Sequence, residues 1–177
     1  DDPPGEGRGR AKGYAGMRLS DDGGATLEVK GMEAVRSDMT PLARRFQREL
    51  LGRAFAGASV AVLRAFCGEL GRTLTAGLLD DELVYTKSLR RNAEDYESET
   101  PPVRAARLLG WTDRRGRVSY VMTRAGAEPL ERRSAAAIDH DHYVEKQLLP
   151  IAQAVAEELG ADARTWFGAG RQLDLFG

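Results

Sequence analysis

Residues 30–51, KGMEAVRSDMTPLARRFQRELL, decide how the chain divides, because they join an extended beginning to a mostly helical remainder. Thr40 followed by Pro41 predicts a helix start, since the Thr hydroxyl can cap a free amide and Pro fits the first helical position, where no amide hydrogen is needed. Apolar side chains then recur every four residues and predict one buried face. They are Leu42, Phe46 and Leu50.

The same helix carries arginines away from its apolar face, at positions 44, 45 and 48. Guanidinium groups pair readily with phosphate oxygens. A basic flank on a helix that follows a strand pair therefore predicts a phosphate-facing edge, with Arg44 as a candidate contact.

Two short strands are predicted before this helix, at residues 14–19 and 25–29, on either side of the sequence SDDGG at residues 20–24. Adjacent carboxylates such as Asp21 and Asp22 invite comparison with the acidic pairs that hold magnesium in two-metal enzymes. The sequence Asp-Asp-Gly-Gly is typical of tight turns, so a hairpin turn is the favoured interpretation and no catalytic metal is assigned there.

The remainder predicts a mostly helical protein with short strands, an α+β fold. The expected elements are a second helix capped by Ser59, an extended segment at 83–89, a short helix from Thr100 to Leu109, a strand at 116–123, and a long helix that begins at Asp139 and bends near Pro150.

Composition is that of an ordinary globular chain, with 42% hydrophobic and 30% charged residues and a net charge of -1 over 177 residues. The charge is unevenly placed. Residues 100–133 carry eight arginines and three acidic residues, a net charge of +5, whereas residues 134–166 carry a net charge of -4. This division suits one face for a polyanion and another for solvent, although a division without functional meaning explains it equally well.

No apolar run approaches membrane-spanning length, and no signal peptide is visible. The one cysteine, Cys67, cannot form an internal disulfide, which fits a reducing cytoplasm. The chain begins Asp-Asp-Pro-Pro rather than with Met. We therefore expect a fragment, a processed product or a trimmed form of a longer protein.

Residues 30–51 closely resemble the segment that links palm to thumb in family B DNA polymerases, especially in the bacterial DNA polymerase II branch. There, KG-x-E-x-VR leads into D-x-TPLA and a helix. The resemblance covers, with gaps, most of the chain from about residue 12 to residue 176. It implies a palm end with a β-hairpin at residues 1–38, a thumb domain at 39–167 and a flexible tail at 168–177.

Lys12-Gly13-Tyr14 is similar to the K-x-Y motif, whose Lys and Tyr lie along the primer–template duplex in that family. Residues 83–91, LVYTKSLRR, resemble a thumb segment that touches the duplex backbone. Cationic side chains are suited to phosphate contacts. The resemblance and the basic helix flank together imply a set of DNA-binding residues. They are Lys12, Tyr14, Arg36, Arg44, Lys87, Arg90, Arg91 and Arg104.

Residues 139–142, Asp-His-Asp-His, form the one histidine cluster of the sequence. Four consecutive helical residues point in different directions, so they cannot all converge on one metal ion. Acidic residues in a first helical turn are favoured by the free amides and the helix dipole. A helix cap is therefore favoured over a metal site, and this chain is expected to hold no cofactor.

A flexible spacer, GAGR at residues 168–171, is predicted before an apolar terminal pentapeptide. An exposed apolar segment favours a partner groove. The pentapeptide resembles the bacterial sliding-clamp-binding motif, which implies a set of clamp-binding residues. They are Gln172, Leu173, Asp174, Leu175 and Phe176. The alternative is a tail folded back onto its own helices.

The resemblance implies the C-terminal part of a DNA-directed DNA polymerase, cytoplasmic and nucleoid-associated, which grips primer–template DNA and is tethered to the clamp. The family's catalytic Asp motifs lie upstream of K-x-Y, so no catalytic residue is assigned here. The chain alone should therefore not polymerise nucleotides, and Mg²⁺ is expected in the parent polymerase. Two alternatives are a separately encoded small subunit of a split polymerase and a non-catalytic adaptor that binds DNA and the clamp.

Overall fold

The computed structural model describes residues 14–19, 25–30 and 39–168. Strands β1 (Tyr14–Leu19) and β2 (Ala25–Lys30) form an antiparallel pair, with Tyr14 opposite Lys30 and Leu19 opposite Ala25. Both predicted strands are confirmed, and β2 is one residue longer than expected. The turn that was predicted between them lies outside the described residues.

Helix α1 (Pro41–Phe55) begins as the sequence predicts, because the Thr40 side chain accepts a hydrogen bond from the Ala43 amide. Helix α2 (Val60–Thr75) is capped by Ser59 in the same way. The apolar stripes of the two helices are buried against each other and against the end of the described chain. Phe46 lies 5.9 Å, ring centroid to ring centroid, from both Phe66 and Phe167.

A three-stranded antiparallel sheet follows, with strand order β3-β4-β5. Its strands are β3 (Tyr85–Leu89), β4 (Gly116–Thr123) and β5 (Gly126–Pro129). Helix α3 (Pro101–Leu108) connects β3 to β4 and buries Val103, Ala105 and Ala106 in the core. Single 3₁₀ turns at Asp80–Glu82 and Ala93–Asp95 link these elements. The predictions for β3, α3 and β4 are confirmed, whereas β5 was not predicted as a strand.

The long helix after Asp139 consists of α4 (His140–Tyr143), a π-helical turn (Val144–Leu148) and α5 (Leu149–Glu158). The sequence predicts an interruption near Pro150, and the wide turn indeed lies just before it. A proline ring clashes with the carbonyl four residues earlier in a regular α-helix, and a π-helical turn moves that carbonyl away.

The described helices and strands confirm an α+β fold in which α1, α2, α5 and one face of the sheet share a hydrophobic core. Two aromatic residues close this core at its C-terminal end, since Trp166 and Phe167 are both buried. None of the described helices is long and apolar enough to cross a membrane.

Candidate nucleic-acid interface

The sheet presents a polar face formed by alternate residues of β3 and β4. Thr86 lies opposite Ser119, and Ser88 lies opposite Arg117. The hydroxyl oxygens of Thr86 and Ser119 are 3.1 Å apart, within hydrogen-bonding distance. Because side chains alternate across a strand, these four residues point to the same side of the sheet. Thr86, Ser88 and Arg117 are exposed, so this face is available to a polar ligand.

A groove of about 240 Å³ runs between this part of the sheet and the start of α1. Three exposed cationic residues line it: Arg44 from α1, Lys87 from β3 and Arg117 from β4. Met39, Pro41, Val84, Tyr85, Thr86 and Tyr120 complete its wall, so no acidic side chain is among the described residues that line it. We call this site the α1–sheet groove. Its chemistry is suited to phosphate groups.

Strand β3 is held in place by aromatic packing with neighbouring elements. Tyr85 stacks on Tyr120 at 5.2 Å and on Tyr143 at 5.5 Å. The Tyr143 hydroxyl oxygen accepts a hydrogen bond from the Met122 amide of β4 at 2.8 Å. Nε2 of His142 is 2.8 Å from the Tyr85 hydroxyl. These contacts fix the backbone that carries Lys87.

Burial lowers the pKa of His142, which favours the neutral imidazole at neutral pH. Asp139 accepts a hydrogen bond from the His142 amide at 3.2 Å, so the predicted helix cap is present. His140 Nε2 lies 2.7 Å from an Asp80 carboxylate oxygen. The two histidines therefore have separate partners. Within the part of the chain that the structure describes, no group of three or more His, Cys, Asp or Glu residues is placed to hold a metal ion.

Arg90 and Arg91 follow the last residue of β3 and are exposed. They line a second cleft of about 400 Å³ together with Arg115, which precedes β4. The structure thus brings Arg44 and Lys87 together at one site, and Arg90 and Arg91 together at another.

Arg104 makes contacts within the protein. Its Nε donates to the Ala127 carbonyl at 3.1 Å, and its Nη2 donates to the Ala125 carbonyl at 3.0 Å. The guanidinium also lies against Gly126, whose φ of +105° belongs to a conformation that favours glycine. Arg104 therefore braces the tight turn between β4 and β5. The DNA contact that the sequence predicts for it remains a prediction.

Other arginines of the basic segment 100–133 are also used internally. Arg107 donates to the carbonyls of Ala93 and Tyr96, and Arg132 donates to the Leu108 carbonyl. Arg133 lies 3.6 Å from the Glu128 carboxylate. Hydrogen bonds and an ion pair within the protein therefore engage part of the positive charge of this segment.

Several predicted site residues lie outside what the structure describes. They are Lys12, Arg36, Gln172, Leu173, Asp174, Leu175 and Phe176, and only the strand backbone of Tyr14 is described. Conversely, Arg117 was not singled out from the sequence. Its place on an alternating strand was the available signal, but only the pairing with β3 shows which residues share its face.

The fold and the sequence are both similar to those of known polymerases. The described structure matches a family B DNA polymerase from Pyrobaculum calidifontis with a TM-score of 0.63 and 27% identity, over 82% of this chain and 20% of that one. DNA polymerase 2 of Aeropyrum pernix is 30% identical over 178 residues, which is 93% of this chain and 21% of the relative.

The chain accordingly belongs to the family B DNA polymerases, of which it represents a partial segment. Within that family, DNA polymerase II of Escherichia coli is 37% identical to it over 158 residues, 83% of this chain and 20% of the relative. The chain spans about a fifth of the length of these two curated relatives. No family model matches the sequence.

Proposed function

We propose that this chain is the palm-edge and thumb portion of a DNA-directed DNA polymerase and that it holds primer–template duplex DNA. Two observations support the proposal. The chain is homologous to family B DNA polymerases over most of its length, and the α1–sheet groove gathers three cationic residues without an acidic residue in its described lining. The groove is the observation that carries the DNA-binding role.

The division into a palm end at residues 1–38, a thumb at 39–167 and a tail at 168–177 is part of this proposal. The single hydrophobic core shared by residues 39–167 supports treating that range as one domain. Mg²⁺ and the remainder of the polymerase would be supplied by the parent protein. We assign no catalytic residue to this chain, so it should bind DNA without incorporating nucleotides.

Binding through the groove would act by neutralising backbone phosphates. A guanidinium offers a planar fork of donors to phosphate oxygens, whereas an ammonium acts as a compact charge. Each phosphate that is neutralised releases condensed counterions, and the slope of log K against log salt changes by about 0.9 for each such contact. Arg44, Lys87 and Arg117 would therefore contribute affinity that falls steeply with salt and depends little on DNA sequence.

The test is fluorescence anisotropy of a labelled primer–template duplex with the 177-residue chain at several salt concentrations. Arg44→Gln, Lys87→Gln and Arg117→Gln should each weaken binding and reduce the salt slope by about one. Arg72→Gln is the matched control, because Arg72 is an exposed arginine that pairs with Glu69 and does not line the groove. Wild-type binding that is independent of salt, or equal losses in all four variants, would refute the groove as the DNA site.

We propose in addition that residues 172–176, QLDLF, tether the chain to a bacterial sliding clamp. The support is the sequence alone: a glycine spacer precedes an apolar pentapeptide that resembles the clamp-binding motif. Tethering would raise the local concentration of the polymerase at the primer end. Surface plasmon resonance against an immobilised clamp should show saturable binding that is lost in a Leu175→Ala, Phe176→Ala double variant. Equal binding by the wild type and the double variant would reject the tether.

A further inference from the structure

The second cleft lies between the segment after β3 and the segment before β4. It is lined by Arg90, Arg91, Asn92, Asp95, Asp113 and Arg115. Three arginines and two aspartates therefore line a space of about 400 Å³. The site is almost entirely polar, and its excess charge is positive. Anions with several oxygen acceptors suit such a lining.

The two walls of the cleft are joined by a direct hydrogen bond. Nδ2 of Asn92 donates to Oδ1 of Asp113 at 3.0 Å, although the two residues are 21 positions apart in sequence. This bond engages one oxygen of the Asp113 carboxylate. Arg114, which lies between Asp113 and Arg115, does not line the cleft, and its guanidinium carbon lies 4.3 Å from the Trp111 ring centroid.

Tyr96 contacts both Arg90 and Arg91. Its hydroxyl oxygen accepts hydrogen bonds from the amides of Arg90 at 3.2 Å and Arg91 at 3.3 Å. The guanidinium carbon of Arg91 lies 4.5 Å from the Tyr96 ring centroid. One side chain thus contacts both the backbone of the pair and the charged group of its second member.

Tyr96 is itself fixed by the neighbouring helix. Nη2 of Arg107 donates to the Tyr96 carbonyl at 2.8 Å, while Nε of Arg107 donates to the Ala93 carbonyl at 3.2 Å. Because Arg107 belongs to α3, the loop that carries Arg90 and Arg91 is connected through Tyr96 to the core. A cation that is already held in its binding geometry loses less conformational entropy when a ligand arrives.

We infer that this cleft binds a backbone phosphate of DNA, with Arg115 as a direct contact and Tyr96 as the residue that positions Arg90 and Arg91. The ligand class is a phosphodiester, bound through its anionic oxygens. The inference rests on the proposed DNA-binding function and adds a site that is distinct from the α1–sheet groove, since the two share no described lining residue. The amides of Arg90 and Arg91 are engaged by Tyr96, so their side chains carry the binding.

The direct contact is tested with Arg115→Gln in the anisotropy assay of a labelled primer–template duplex. We expect a weakening of about fivefold at moderate salt and a salt slope reduced by about 0.9. Arg114→Gln is the matched control. It removes the same charge at the neighbouring position, where the guanidinium is packed on Trp111. Identical curves for the two variants would overturn the assignment of Arg115.

The positioning role is tested with Tyr96→Phe, which keeps the ring and removes only the hydroxyl. We expect duplex binding to weaken about threefold in an otherwise wild-type chain. In an Arg90→Gln, Arg91→Gln background the same substitution should have no effect, because residues that act through each other are not additive. A threefold loss of duplex affinity that persists in that background would overturn the positioning role. Thermal melting of each variant checks that it is folded.

The failure of this inference differs from the failure of the proposed function. If the wild-type chain binds the duplex with a steep salt slope while Arg115→Gln and Tyr96→Phe bind as well as it does, only the second site is rejected. If the wild-type chain does not bind the duplex at any salt concentration, both are rejected.

Discussion

Gln147 and Thr40 are 107 residues apart in sequence and meet through a buried pair of hydrogen bonds. Oε1 of Gln147 accepts from the Thr40 amide at 3.0 Å and from the Thr40 hydroxyl at 3.2 Å. The same hydroxyl accepts from the Ala43 amide to cap α1. Gln147 lies in the π-helical turn, so this contact ties the start of the first helix to the irregular part of the last one.

Replacing Gln147 with Met should destabilise the fold by about 2 kcal/mol. The substitution keeps the length of the side chain but leaves the amide and hydroxyl of Thr40 buried without their acceptor, and an unsatisfied buried donor costs about 1–3 kcal/mol. The free energy of unfolding from urea titration measures the loss. Lys146→Met is the matched control, since it places the same side chain at the adjacent exposed position and should cost well under half as much.

Gly71 and Gly52 should respond in opposite directions to alanine. A Cβ at Gly71 would come within 2.4 Å of the Phe167 carbonyl oxygen, so the backbone at Phe167 and helix α2 would have to move apart. We expect Gly71→Ala to cost about 2 kcal/mol. A Cβ at Gly52 would meet nothing within 4 Å, and Ala favours a helix, so Gly52→Ala should gain about 0.5–1 kcal/mol.

Thermal melting of the two variants beside the wild type is the measurement. Both substitutions add one methyl group within a helix. A higher melting temperature in both variants would show that helix propensity determines the result and that the close approach of Phe167 does not.

Glu128 should make stability depend on pH in the acidic range. Its pKa is lowered, first by hydrogen bonds from the Ser134 hydroxyl and amide, and also by Thr123 and Arg133. A carboxyl group whose pKa is lower in the folded state contributes stability that is present above its unfolded pKa. That stability is lost as the pH falls from the ordinary glutamate pKa of about 4.5 through the lower pKa that Glu128 has in the folded protein.

The corresponding experiment compares wild type and Glu128→Gln by urea unfolding at pH 7 and at several values below pH 4.5. The wild type should be the more stable at pH 7, and the difference should shrink as the pH falls. A difference that stays constant with pH would show that the packing of residue 128 matters and its charge does not.

Arg104→Gln should lower stability without changing the salt slope of DNA binding. The Arg104 guanidinium bonds to the carbonyls of Ala125 and Ala127 at the β4–β5 turn. Losing two such bonds should cost about 1–2 kcal/mol. Urea unfolding gives the stability, and duplex anisotropy gives the slope. Arg117→Gln is the comparison, with a reduced slope and near-normal stability expected. A reduced slope in Arg104→Gln would instead support the DNA contact predicted from the sequence.

Local signals were sufficient to locate most of the elements. Thr40-Pro41 and Ser59 predicted two helix starts because a capping side chain and its target amide are three residues apart, and such short-range geometry is written directly in the sequence. β4 was predicted at Gly116–Thr123 by its alternation. β5 was missed because its four residues are too few to show a period, and they extend only by pairing with β4.

The sequence by itself determined the helix starts and the hairpin strands, since each depends on residues that are near one another in the chain, and its motifs also carried the family resemblance. The tertiary structure decided which cationic side chains face solvent. Arg104 and Arg117 belong to the same basic segment, yet one donates to backbone carbonyls and the other lines a groove. That difference arises because strand pairing and helix packing assign each side chain its neighbours, and residues distant in sequence supply those neighbours.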